Sequence, residues 1–208
     1  MQGCVRVCVW LTLLCLTSAA GRAEESEHFR GTLVAIDGDL VTVADLDEEQ
    51  RAVRLTDDTG VYVVTPARFA DIEAGQYVGV TSVESGDSRV ALEVHVFAED
   101  LRGTGEGHFP WDLVKAPNAM TNATIAEIEE ISPVERLLRL TYKDGTGHGS
   151  QGEQRVRVPD FADIVLLESA DRSALVPERP VFMFLQAAPP EPPTALAIAV
   201  GLGVSPPM

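Results

Sequence analysis

Cysteine is scarce in this chain, and its position excludes a large class of stabilising and catalytic chemistry. Only three of the 208 residues are cysteines, and all of them lie near the start: Cys4, Cys8 and Cys15. The rest of the chain therefore forms no disulfide, offers no thiolate nucleophile and binds no metal through cysteine sulfur. We expect its stability to come from packed apolar cores.

Long apolar runs are equally rare, because the only one extends from residue 7 to residue 16 and is followed by small residues. A run of that length is too short to span a bilayer core of about 30 Å, whereas it fits the apolar part of a secretory signal. Small-residue cleavage sites follow Ala20 and Ala23, and we favour Ala23. The sequence thus predicts a signal peptide over 1–23 and a periplasmic or secreted protein without a membrane span.

Positive charge is in short supply, since 16 Lys and Arg stand against 32 Asp and Glu and the formal net charge is -16. Two of the arginines, Arg6 and Arg22, lie in the predicted signal, so cleavage makes the chain more acidic still. Such a surface repels phosphate backbones, which argues against nucleic acid as a partner. The excess of acidic residues is typical of a surface that keeps an exported protein in solution.

The remaining chain is a series of short strand patterns separated by turn residues. Gly38-Asp39 between two alternating apolar segments predicts a β-hairpin, and a helical turn ending at Gly75 precedes the last two strands of the first unit. The same order of patterns recurs later in the chain, which indicates an internal repeat. We therefore predict an all-β fold of two tandem, small OB-like β-barrels, one over 24–98 and one over 122–208.

The last strand of the first unit shows the clearest alternation. Val90, Leu92, Val94 and Val96 occupy every second position, and polar residues stand between them: Arg89, Glu93 and His95. Alternation at period two indicates a strand with one face in the core and the other in water. We therefore predict that Glu93 and His95 are exposed to solvent.

The connection over 99–121 has no strand or helix period, yet it contains Trp111, the only tryptophan outside the predicted signal. An aromatic-bearing connection of this length is more often a packed or functional loop than a linker. Its motif Arg102-Gly-Thr-Gly-Glu-Gly-His-Phe-Pro-Trp-Asp112, followed by Met120-Thr-Asn-Ala-Thr124, resembles a family of bacterial exported proteins of unknown function with two strand-rich units. The resemblance implies architecture and location, but no catalytic residues, because that family has no established activity.

The central loop is the best candidate site, because glycines let the backbone approach a ligand closely where several recognition groups meet. The candidate ligand-binding residues are His108, Trp111, Asp112 and Gly105. In the alternative interpretation the loop is a structural clasp, in which Phe109 and Trp111 anchor it between the two barrels.

Metal binding is the most specific functional alternative, because His108 together with His95 or Asp112 could bind copper or zinc. The spacing of the histidines does not support a metal site, so we expect no resident cofactor. His148 and Ser150 lie together in a glycine-rich turn, which does not hold the geometry of a catalytic triad.

We therefore predict a non-enzymatic exported binding or structural module whose partner is an envelope protein or a small ligand. The alternative is a periplasmic metal-handling protein.

Overall fold

The computed structural model describes residues 26–143, 151–186 and 191–206. The predicted signal peptide, the three cysteines and the His148–Ser150 turn lie outside these residues. Within the described part of the chain, no helix is long and apolar enough to cross a membrane. The described residues form an all-β structure with three short 3-10 turns: Phe69–Asp71, Glu99–Leu101 and Arg172–Ala174.

Thirteen strands follow one another in the described residues. They are β1 (Ser26–Asp37), β2 (Leu40–Ala44), β3 (Gln50–Arg54), β4 (Gly60–Pro66), β5 (Tyr77–Ser85), β6 (Ser88–Phe97), β7 (Gly107–Trp111), β8 (Asn118–Ser132), β9 (Glu135–Lys143), β10 (Gln151–Pro159), β11 (Asp163–Ser169), β12 (Pro180–Gln186) and β13 (Ala195–Gly201). The predicted β1–β2 hairpin is confirmed, with Gly38 in the left-handed conformation at φ 58°. The predicted helical turn before β5 is the 3-10 turn at Phe69–Asp71, and Gly75 follows it with φ 88°.

Five strands close into a barrel. The order around it is β8, β9, β10, β6 and β5, and the circle closes because β5 pairs with β8. All of these pairings are antiparallel except that of β10 with β6, which is parallel. Aliphatic side chains that point inward fill the barrel, among them Val80, Val94, Ile125, Leu138 and Val156.

The sheet continues from β6 through β11, β4, β13, β12 and β1 to β2 and β3. A second apolar core lies on this side, with Leu33, Val43, Met183 and Ile198 completely buried. An isolated parallel bridge between Arg54 and Thr194 brings the end of β3 beside the start of β13. This half of the sheet therefore curls around its own core.

The pairing does not follow the predicted division of the chain at 98 and 122. β12 and β13 come from the later range but lie beside β1 and β4, whereas β5 and β6 come from the earlier range and lie beside β8 and β10, respectively. Each half of the sheet thus contains strands from both ranges, and one continuous sheet joins them.

The central connection is more ordered than the sequence predicts. Its residues Gly107–Trp111 form β7, which pairs with β8, and β8 itself begins at Asn118. The prediction of a connection without strands is wrong because β9 pairs with β8 only from Thr124 onward, so the edge of residues 118–122 that does not pair with β5 is free to pair with β7. Pro110 is tolerated because β7 pairs with β8 on one side only within the described sheet.

The prediction that Glu93 and His95 are exposed is also wrong. Glu93 is 0 % exposed and His95 is 2 % exposed. The alternation itself is present, since Val94 and Val96 face the barrel core. The other face of β6 is buried as well, because the second half of the sheet packs over the outside of the barrel at this point.

Candidate functional site

A cavity of about 550 Å³ lies between the outer wall of the closed barrel and the second half of the sheet. Its barrel side is formed by β6, β7 and β8 together with the segment from Leu101 to Gly105, and its other side by β1, β4, β11, β12 and β13. The residues that line it are Ser26, His28, Tyr62, His95, Phe97, Leu101, Thr104, Gly105, Phe109, Pro110, Trp111, Met120, Asn122, Leu167, Phe182, Phe184, Leu196, Ala197 and Ala199. Pro110 and Leu196 are exposed, so the cavity reaches the surface.

Strand register explains which side chains face the cavity from the barrel. Residues paired across neighbouring strands point to the same face of a sheet. One row across β6, β5, β8 and β7 consists of His95, Gly79, Asn122 and Gly107. The next row consists of Glu93, Thr81, Met120 and Phe109. Both rows turn away from the aliphatic barrel core and towards the second half of the sheet.

Aromatic rings form much of the cavity wall. The His28 ring lies 4.5 Å from Trp111 and 5.0 Å from Phe184, measured between ring centroids. Phe182 and Phe184 are perpendicular at 5.0 Å, and Phe109 meets Trp111 edge to face at 5.8 Å. Such rings offer large flat apolar surfaces, so the wall suits a molecule with apolar or aromatic faces.

A buried histidine and glutamate form the polar part of the barrel wall. The Glu93 Oε1 atom lies 2.9 Å from His95 Nδ1, and the other carboxylate oxygen accepts from Thr81 Oγ1 at 3.4 Å. The imidazole lies over Gly79, where a Cβ atom would overlap Nε2 of the ring. Only glycine at this position leaves room for the imidazole. His95 lines the cavity, and Glu93 lies behind it.

Two buried polar atoms on the cavity wall have no hydrogen-bond partner among the described residues. They are the donor Trp111 Nε1 and the acceptor Asn122 Oδ1. The orientation of the Asn122 amide follows from its nitrogen, which donates to the carbonyl oxygens of Gly105 and Thr104 at 3.0 and 3.5 Å. A buried polar atom without a partner costs about 1 to 3 kcal/mol.

An ion-paired cluster lies at the rim of the cavity. Asp112 accepts from Arg30 Nη2 at 2.8 Å and lies 3.0 Å from His28 Nδ1, so it links the segment after β7 to β1. Partial burial works to raise the pKa of Asp112, but the hydrogen bonds from Arg30 and His28 outweigh burial and hold that pKa below its ordinary value. The rim cluster thus fastens the two sides of the cavity together.

The structure separates the four ligand-binding residues predicted from the sequence. Trp111 and Gly105 line the cavity, and Asp112 lies in the rim cluster. His108 points to the opposite face of β7, where its Nδ1 atom lies 2.8 Å from Thr121 Oγ1. Burial, aided by the charge of Arg89, lowers the pKa of His108.

The three predicted metal ligands have separate partners. His95 contacts Glu93, His108 contacts Thr121, and Asp112 contacts Arg30 and His28. No group of three or more His, Cys, Asp or Glu side chains is arranged to hold a metal ion in the described residues. The copper or zinc alternative therefore gains no support from the geometry.

Sequence reasoning missed much of the cavity. Glu93 and His95 were assigned to solvent, and Asn122, Phe182 and Phe184 received no role. The signals available were a carboxylate and an imidazole two residues apart in a valine-rich strand, and two phenylalanines on one face of β12. Neither signal shows by itself that the outer face of β6 and this face of β12 border the same cavity.

Comparison of this chain with protein-family models, with curated proteins and with solved structures finds no match. The resemblance of the central motif to exported proteins stays a prediction. The geometry of the cavity is therefore the basis on which a function can be proposed.

Proposed function

We propose that this protein is an exported, non-enzymatic binding module that holds a small, neutral and largely apolar molecule in the cavity between the two halves of its sheet. The volume of about 550 Å³ falls in the range of roughly 300 to 1,000 Å³ that small-molecule sites occupy. The observation that carries the proposal is the aromatic wall of this cavity, in which the rings of His28, Phe109, Trp111, Phe182 and Phe184 contact one another.

The charge of the wall supports a neutral ligand. None of the residues that line the described cavity is Lys, Arg, Asp or Glu. A charged group placed there would lose its hydration without gaining an opposite charge in contact. The nearest cationic group of the rim, Arg30, already binds Asp112.

The proposal includes the OB-like repeat predicted from the sequence. β8, β9 and β10 close with β5 and β6, and in the other half β1, β2 and β3 lie with β12 and β13 in the same order. This correspondence supports a duplicated unit in which the last two strands are exchanged between the repeats. The exchange would place the cavity where the two outer walls meet.

The experiment is a titration of the purified protein with Nile red, a neutral, planar dye whose emission shifts to the blue in apolar surroundings. We expect a 1:1 complex with a dissociation constant of about 10 μM, since drug-sized ligands gain about 0.3 kcal/mol per heavy atom. The variant Ala197→Phe fills the cavity and should abolish the blue-shifted emission.

The matched control is Ala52→Phe, which adds the same ring at an exposed position on β3 and should leave binding unchanged. Circular dichroism and thermal unfolding establish that both variants are folded. Nile red bound equally by Ala197→Phe and by the parent would place the dye elsewhere and contradict the proposal.

A further inference from the structure

We propose that the Glu93–His95 pair selects ligands that carry a hydroxyl hydrogen-bond donor, and that the ligand class is a neutral hydroxylated aromatic molecule such as a phenol. The inference rests on the proposed function, because it concerns the same cavity. It goes further by naming the group on the ligand that the protein recognises.

The first step is the state of the His95 ring. The Glu93 carboxylate is completely buried and accepts from Nδ1 at 2.9 Å, which fixes the orientation of the imidazole. In a neutral imidazole whose proton is on Nδ1, the other nitrogen is a hydrogen-bond acceptor. His95 Nε2 makes no hydrogen bond within the described residues, and the ring borders the cavity.

The second step is the surroundings of that acceptor. Asn122 and His95 belong to the same row of paired residues, separated only by Gly79, which carries no side chain. The Asn122 nitrogen donates to two backbone carbonyls, and its oxygen is enclosed by protein atoms. His95 Nε2 is therefore the side-chain polar atom of this row that borders the cavity.

The third step is the chemistry that satisfies such an acceptor. A hydroxyl group donates one proton, whereas an ether or a carbonyl of similar size offers only lone pairs and would leave His95 Nε2 unpaired. A carboxylic acid group would ionise at neutral pH and meet no lysine or arginine on the wall. The aromatic rings nearby favour a flat apolar body.

The test compares two probes that differ only in the donor, 2-naphthol and 2-methoxynaphthalene, by displacement of Nile red from the purified protein at pH 7. We expect 2-naphthol to bind at least about tenfold more tightly, because the ether leaves His95 Nε2 unpaired. Equal affinities, or a failure of 2-naphthol to displace bound Nile red, would overturn the inference and leave the proposed function standing. A protein that does not bind Nile red would overturn both.

A second measurement uses the double variant Glu93→Met with His95→Leu, which removes both polar groups and leaves no unpaired buried charge. We expect the preference for 2-naphthol to fall to less than about threefold while Nile red still binds. The matched control is His108→Leu, because this histidine lies on the other face of β7 and does not line the cavity. The preference of this variant for 2-naphthol should remain at the parental value. If His108→Leu loses the preference while the double variant keeps it, the assignment of the preference to the Glu93–His95 pair is wrong.

Discussion

At the scale of single residues, His95 and His108 show how surroundings decide the role of a side chain. The sequence favours His108 as a ligand-binding residue, because it lies in a glycine-rich motif with Trp111 and Asp112. In the structure His108 is held by Thr121 beneath β7, whereas His95 is held by a buried carboxylate at the cavity wall. The difference arises because neighbouring positions on a strand point to opposite faces, so Gly107 and Phe109 face the cavity and His108 does not.

Gly79 carries a prediction at this scale. In Gly79→Ala the new Cβ atom overlaps the His95 imidazole, so the ring has to move away from its position beside Glu93. We expect destabilisation by about 1 to 3 kcal/mol, as for other overpacked buried sites, and a loss of the preference for 2-naphthol. Chemical denaturation and Nile red displacement measure the two effects.

A double-mutant cycle is the control for this prediction. In the His95→Ala background there is no imidazole to displace. Gly79→Ala should therefore lower the free energy of unfolding by less than about 0.5 kcal/mol in that background. An equal cost in both backgrounds would show that the alanine disturbs the backbone of β5 rather than the imidazole.

At the scale of elements, the hairpin of β7 and β8 brings Trp111 and Phe109 to the cavity. The side chain of Asn118 holds the connection between these strands. Its amide nitrogen donates to the carbonyls of Val114 and Ala116 at 2.9 and 2.7 Å, and its oxygen accepts from the amide of Leu113 at 3.3 Å. One side chain therefore replaces the backbone pairing that the connection lacks.

Asn118→Ala removes these three hydrogen bonds, which leaves the backbone groups of the connection to water. We expect a loss of about 2 kcal/mol in the free energy of unfolding and a severalfold weaker affinity for Nile red, because β7 becomes less firmly placed. Asn118→Asp is the matched variant, since it keeps the acceptor but loses both donors. Its stability at pH 7 should fall at least as far as that of the alanine variant, as measured by urea denaturation, because a carboxylate oxygen in place of the amide nitrogen faces the carbonyl oxygens of Val114 and Ala116.

At the scale of the whole molecule, one sheet and one rim cluster join the two halves. β6 is the strand where they meet, since it pairs with β5 and β10 in the barrel and with β11 outside it. On the far side of the cavity the connection is electrostatic, through Asp112 with Arg30 and His28. The cavity is thus bounded by a continuous hydrogen-bonded sheet on one side and by ion-paired side chains on the other.

Asp112→Asn tests this connection through its pH dependence. A carboxyl group whose folded pKa is depressed stabilises the fold above its unfolded pKa of about 3.9, and this contribution is lost as the pH falls through the folded pKa. Asp112 is half exposed, so we expect the variant to lose only about 1 kcal/mol at pH 7. The difference from the parent should shrink as the pH falls through the depressed folded pKa of Asp112, because the parent then loses the charge as well.

The control for this prediction is Asp87→Asn, an exposed carboxylate in the turn between β5 and β6. Its unfolding free energy should match that of the parent at every pH. If Asp112→Asn remains less stable than the parent by the same amount in acid, the asparagine acts by disturbing packing and not by removing the charge.

The sequence by itself determined most of the strands and turns of this protein, although not β7. Valine-rich alternation and turn residues such as Gly38 and Gly75 act over a few residues, so the strands and turns they encode could be read locally. The same local rules gave the all-β class and Trp111 as a residue to examine. They also correctly separated the Val94 face of β6 from the Glu93 face.

Only the tertiary structure decided what those faces meet. Strand pairing joins residues far apart in the chain, such as His28 with Phe184 and Gly79 with Asn122, and no local pattern encodes that choice. A polar face is compatible with water or with a second packed surface, and the free energy of burying apolar area elsewhere settles which one it contacts. The Glu93–His95 pair is therefore a cavity wall because β12 and β13 fold back over the barrel, a consequence of the whole chain rather than of β6.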